Sequence, residues 1–161
     1  MRLMLMKRFP FLLVGALLAA AHFHGPANAA GDGLYQKASG VEAYLGVVPA
    51  EITKGHKPTE PQGSMHGGVP EGGYQYHLVA AVFDAKTSER IIDATVTAQV
   101  SGLGKAGEKK TLDPMSIAGT QTYGGYFTFA GPGLYTIVVT IKRQGAAEGI
   151  ILRFPYEHRN R

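Results

Sequence analysis

Met65 and His66 stand side by side in "GSMHGG", His77 lies in the apolar run "YHLVAAVF", and Met115 follows Pro114 in "TLDPMSIA". Thioether and imidazole are the donors left for a soft or borderline ion such as copper when a chain has no cysteine, and this chain has none. The same absence removes disulfides, thiolate nucleophiles, iron–sulfur clusters and the copper site built on a cysteine with two histidines.

Each of these residues also has a plainer use. A strand points alternate side chains to one face, so His77 shares its side with Val79 and Ala81. An imidazole there is either a ligand or a core-edge histidine bonded to backbone or to a tyrosine. Met115 is a ligand or a filler of an irregular gap. Met65 and His66 belong to a metal hook if their loop folds back over the domain, and to a solvated loop if it does not. His56, between Gly55 and Lys57, and His158, near the C-terminus, read as solvated surface residues.

Other chemistry finds little support. There is no G-x-S-x-G elbow, and Ser, His and Asp show no triad order. Asp84, Asp93 and Asp113 fall in turns or on a solvated face, which supplies no poised acid–base group. "GLGKAG" lacks the spacing of a phosphate-binding loop. The chain therefore does not read as an enzyme.

The N-terminus carries a basic stretch (Arg2, Lys7, Arg8), the apolar run "FPFLLVGALLAAA" and the small-x-small pattern Ala27-Asn28-Ala29. This is the layout of a secretory signal over residues 1–29, shorter than the about 20 apolar residues of a comfortable membrane span. A soluble periplasmic protein without membrane insertion is expected. The whole chain is +4, and the leader holds three of those charges with no acid, which leaves +1. Nothing then points to nucleic acid.

About 130 residues remain, enough for one core. A strand is expected at Val41–Val48, followed by a Pro/Gly-dense loop over 49–73. Loops of that length are commonly functional. Further strands are expected at Tyr74–Asp84, at Ile91–Val100 (with Ile92, Ala94, Val96, Ala98 and Val100 on one face), and around Pro114, whose ring predicts an edge or bulge. "TQTYGGYFTFA" and "LYTIVVTIKR" read as a hairpin across "GPG", with Phe127, Phe129, Ile137 and Val139 in the core. "IILRFPY" closes the domain, Gly31–Gly40 reads as a loose N-terminus, and no useful helical period appears. The sum is an all-β, immunoglobulin-like or cupredoxin-like β-sandwich of about seven strands over residues 41–158.

The succession "EAYLGVVPAEI", "EPQGSMHGGVP", "YHLVAAVFD", "TLDPMSIAGTQTYGGYFTFAGPGLYTIVVTIKR" and "LRFPYEH" resembles the small periplasmic iron-transport proteins that accompany inner-membrane iron permeases. The resemblance implies a β-sandwich, often dimeric, with a copper site near an iron-binding surface. It places the family's methionine ligand on Met115, its strand histidine on His77 and a loop methionine on Met65. The chain departs from that pattern at Thr122, where a histidine is expected, and at Val79, where an acidic residue is expected. "RQGAAEG" likewise replaces a His-rich insertion. Either His66, or after it His56, then completes a rearranged site, or the chain is a relative that has lost the metal. The implied function is copper or iron handling for an inner-membrane permease. Its rivals are a metal-free immunoglobulin-like module that docks through sheet edges or a surface of Tyr74, Tyr76, Tyr123 and Tyr126, and a carrier for a small organic ligand.

Overall fold

The computed structural model describes residues 33–53, 68–70, 72–104 and 107–159. The expected leader at 1–29, with Met65, His66 and His56, lies outside the described residues. Eight strands are present: β1 (Tyr35–Ala38), β2 (Val41–Pro49), β3 (Gln75–Asp84), β4 (Ala94–Gly102), β5 (Glu108–Ile117), β6 (Thr120–Thr128), β7 (Gly133–Arg143) and β8 (Ile150–His158). A single helical turn, α1 (Ala50–Thr53), follows β2 inside the stretch expected as loop.

All neighbouring strands run antiparallel, in the order β1-β2-β3-β6-β5-β4-β7-β8. β1 and β8, the two ends of this ladder, approach each other, so the sandwich is nearly closed into a barrel. Strand β5 makes the corner. Its first half pairs with β4 up to Leu112, and from Asp113 onward it pairs with β6. Pro114, which cannot donate to a ladder, stands at that change of partner.

Two tight turns set register in the first sheet. Ser39–Gly40 joins β1 to β2 with φ of 49° and 78°, and Ala118–Gly119 joins β5 to β6 with φ of 50° and 75°. Positive φ at both central residues gives a turn whose twist matches that of the strands it joins.

The core lies between the inner faces. Val41, Ala43, Leu45, Leu78, Ala80, Val82 and Phe127 come from one sheet, and Val96, Ala98, Val100, Ile137, Val139, Ile141 and Phe154 from the other. Tyr123 spans the two: its hydroxyl donates to the Ile91 carbonyl at 3.1 Å and accepts from the Ala94 N–H at 3.2 Å. This ties β6 to the chain as it enters β4. The β3–β4 turn is held by Asp84, whose carboxylate accepts from the N–H groups of Lys86 and Thr87 and pairs with Arg143 at 3.1 Å.

Several expectations are corrected. The N-terminal stretch is not loose: Tyr35–Ala38 forms β1 on β2. The stretches read as a hairpin do not pair with each other, because β6 bonds to β3 and β5 while β7 bonds to β4 and β8. Their connection crosses between sheets, since Phe129 and Ile137 both have to reach the shared core. Ile92 is 56 % exposed and Ile91 takes the core place, because regular alternation begins only at Ala94. Of the proposed tyrosine surface, Tyr123 and Tyr126 are buried and Tyr76 packs against the core, leaving only Tyr74 well exposed.

His158 is not solvated. β8 continues to it, and the alternation of Leu152, Phe154, Tyr156 and His158 turns the imidazole inward, to 3 % exposure. It lies edge-on to Tyr76 at 4.6 Å and near Phe129 at 5.4 Å, and its Nε2 has no hydrogen-bond partner. Burial lowers its pKa from the ordinary 6.5. The folded imidazole therefore stays neutral where the unfolded one takes up a proton. Stability from this group is complete above the pH at which unfolded histidine titrates and is lost as pH falls from about 6.5 toward the folded value. Chemical denaturation between about pH 7.5 and 5.5 should show His158→Phe losing less stability than the parent, by at most about 1.4 kcal/mol per pH unit. Parallel slopes for the two proteins would count against the buried neutral imidazole.

Candidate metal centre

Each strand of the first sheet has a face turned away from the core. On β3 it carries His77 and Val79, since Leu78, Ala80 and Val82 are the inward positions. On β6 it carries Thr122, Gly124 and Tyr126, since Tyr123 and Phe127 point inward. On β5, Asp113 pairs with Gly124 and Met115 with Thr122, which puts both on the same face. Ladder register thus assembles one patch: His77 opposite Tyr126, Val79 and Asp113 on either side of Gly124, and Met115 opposite Thr122.

Gly124 is the centre of this patch. A Cβ added there would stand 2.8 Å from His77 Nε2 and closer still to Met115 Sδ. The imidazole and the thioether therefore fill the notch that a missing side chain leaves, from two strands that do not pair with each other. Although they lie on the outer face of a sheet, His77 and Met115 are each only 5 % exposed. The His77 ring lies against the Tyr126 ring with centroids 4.8 Å apart. Thr122 is 7 % exposed, and its hydroxyl makes a long 3.4 Å bond to the Met115 carbonyl.

The two positions at which the chain departs from the resembled pattern, Val79 and Thr122, therefore border the notch. Neither brings an imidazole or a carboxylate. The described residues hold no group of three or more His, Asp or Glu arranged for a metal. What they do hold is one nitrogen and one sulfur donor converging on one point, with a glycine beneath. That cradle and donor set fit a soft or borderline ion, and two donors alone are too few to hold most ions tightly.

Sequence reasoning missed Gly124, whose only signal was the "YGGY" pair in an otherwise bulky strand. A cavity of about 270 Å³ borders the patch on its β5 side, lined by Gly68, Pro70, Lys110, Asp113 and Tyr126 among others. The chain thus returns from the undescribed stretch beside the ring that covers His77. A second cavity of about 270 Å³ lies at the mouth of the sandwich, between Val47–Pro49, Tyr76, Tyr156 and His158. Both fall below the about 300–1,000 Å³ usual for a small-molecule site.

No protein-family model and no curated protein matches the sequence. Solved structures do match the fold. A copper-bound variant of FetP from uropathogenic Escherichia coli aligns at a TM-score of 0.57 with 15 % identity, over 77 % of this chain and 93 % of that one. A copper-bound variant of P19 from Campylobacter jejuni aligns at 0.58 with 14 % identity, over 77 % and 93 %. A DUF4426 family protein from Pseudomonas aeruginosa aligns at 0.56 with 13 % identity, over 78 % and 93 %. The chain has the β-sandwich fold of these proteins.

Gly124→Ala should displace the Met115 thioether and the His77 ring while leaving the core face intact. Overpacking of this kind costs about 1–3 kcal/mol, and the flexibility of methionine argues for the low end. In solution NMR, the cross-relaxation expected between the Met115 methyl group and the His77 ring should vanish in this variant. Its persistence would show that the two donors do not depend on the notch.

Proposed function

We propose that this chain is an exported periplasmic protein that binds copper, or iron, at His77 and Met115. It would pass the ion to or from an inner-membrane iron permease or another envelope partner, without catalysing bond chemistry. One observation carries the reading: His77 Nε2 and Met115 Sδ converge over Gly124, in a fold shared with FetP and P19, two proteins with copper-bound structures. The export signal read at residues 1–29 supports the compartment, and one of the FetP structures comes from protein expressed in the periplasm.

The roles follow from ligand chemistry. His77 offers a borderline nitrogen, and its ring plane is fixed by Tyr126. Met115 offers a soft sulfur that favours Cu(I) over Cu(II). Both sit near the surface of one sheet and not in the core, which suits an ion that has to enter and leave by ligand exchange. Met65 and His66 are the further donors this reading assigns, and a homodimer belongs to it as well.

Isothermal titration of the leader-free protein with Cu(II), and with Cu(I) against a competing chelator, tests the reading. The parent should bind one ion per site with sub-micromolar affinity. His77→Ala should weaken both oxidation states by at least about tenfold, or 1.4 kcal/mol. Met115→Leu is nearly volume-conserving, so its stability should fall by less than about 1.5 kcal/mol while Cu(I) binding weakens selectively. Binding indifferent to His77 would transfer support to a metal-free interaction module.

A further inference from the structure

We infer that Asp113 is a third donor to the His77–Met115 site and the residue that lets it accept an ion of higher charge. This rests on the reading of that site as a metal centre. The register carries it. Asp113 is the direct cross-strand partner of Gly124 on the β5 side, as Val79 is on the β3 side. Directly opposed residues of an antiparallel pair keep their Cβ positions about 4.5–5.5 Å apart, and an aspartate carboxylate stands one bond beyond its Cβ. The point above Gly124 that the imidazole and thioether already share is therefore within reach of this carboxylate. Val79, on the other flank, has nothing to offer an ion.

Placement on the strand agrees. Asp113 and Met115 are two residues apart, so both rise from β5 on the same face. Asp113 also lines the cavity that includes Tyr126, the ring lying against His77. It is exposed where Met115 and His77 are buried, which puts the carboxylate at the solvent side of the notch. Lys110, on the wall of the same cavity, bonds Glu108 at 2.7 Å and the Tyr126 carbonyl at 2.8 Å.

The chemical consequence is selectivity between oxidation states. Histidine and methionine are neutral ligands, and a site made of them alone suits the singly charged, soft Cu(I). A dication in a sparsely hydrated notch is favoured by an anionic oxygen, which lowers the net charge brought out of water and matches the harder ion. Asp113 is thus assigned as the determinant of Cu(II), and of Fe(II), binding.

The test compares the parent, Asp113→Asn and Asp113→Glu, each titrated with Cu(II) and, under a chelator, with Cu(I). Asp113→Asn should weaken Cu(II) at least about tenfold and leave Cu(I) within about threefold. Its Cu(II) electron paramagnetic resonance spectrum should shift, and Asp113→Glu should restore both affinity and spectrum in part. Equal loss of the two oxidation states, or no loss of either with an unchanged spectrum, overturns the role of Asp113 while His77 and Met115 still bind Cu(I). Failure of the parent to bind either ion overturns the site itself, and Asp113 with it.

Discussion

Strand β5 changes partners halfway along its length, and much else follows from that change. Up to Leu112 it belongs to the sheet of β4, β7 and β8, and from Asp113 it belongs to the sheet of β1, β2, β3 and β6. A strand can leave one ladder for another only where its hydrogen bonding is interrupted, and Pro114, with no N–H, marks the place. Leu112, the last residue before the change, is buried in the core. The next outward positions, Asp113 and Met115, fall beside β6 and not beside β4. Without the corner the two sheets would not be joined through β5, and the thioether would have no route to His77.

A polar or soft-donor cluster on the outside of a sheet is ordinarily open to water. Here it is nearly closed, because β6 has a glycine at the centre of the patch and a tyrosine at its edge. The missing side chain at Gly124 lets two neighbours lean in over the backbone, and Tyr126 covers one of them. A donor pair that is held but lies only one side chain deep can exchange a ligand without disturbing the core behind it. The core needs nothing from the site either: Leu78, Ala80, Tyr123 and Phe127 pack on the opposite side of the same strands. Sharing strands while using opposite faces keeps the outward cluster separate from the core.

On the inner side, against Tyr76, the residue that precedes His77, the arrangement is reversed. His158 points inward, among Tyr76, Phe129, Tyr135 and Tyr156, and has exchanged water for aromatic rings without a bond to its Nε2. An imidazole held neutral in that way contributes packing above the titration range of free histidine and becomes a liability below it. The two histidines among the described residues thus face opposite ways, and strand parity sets the difference. His77 falls on an outward position of β3, and His158 on an inward position of β8.

The residues alone determined the class of fold and most of the core. Alternation is a local property, so Phe127, Phe129, Ile137 and Val139 could be placed inside from their spacing, while Pro114 signalled only an edge or bulge and the change of partner beside it came from the pairing. Composition determined the available chemistry too: with no cysteine, any soft-metal site has to use His and Met. Tertiary structure decided which strands are neighbours, for pairing depends on contacts far apart in sequence. It therefore separated β6 from β7, recruited Tyr35–Ala38 as a strand, and turned His158 inward by prolonging β8. It also decided the site. Periodicity tells which residues share a face of one strand, but only the register of three strands brings His77 and Met115 over Gly124 with Asp113 at its flank.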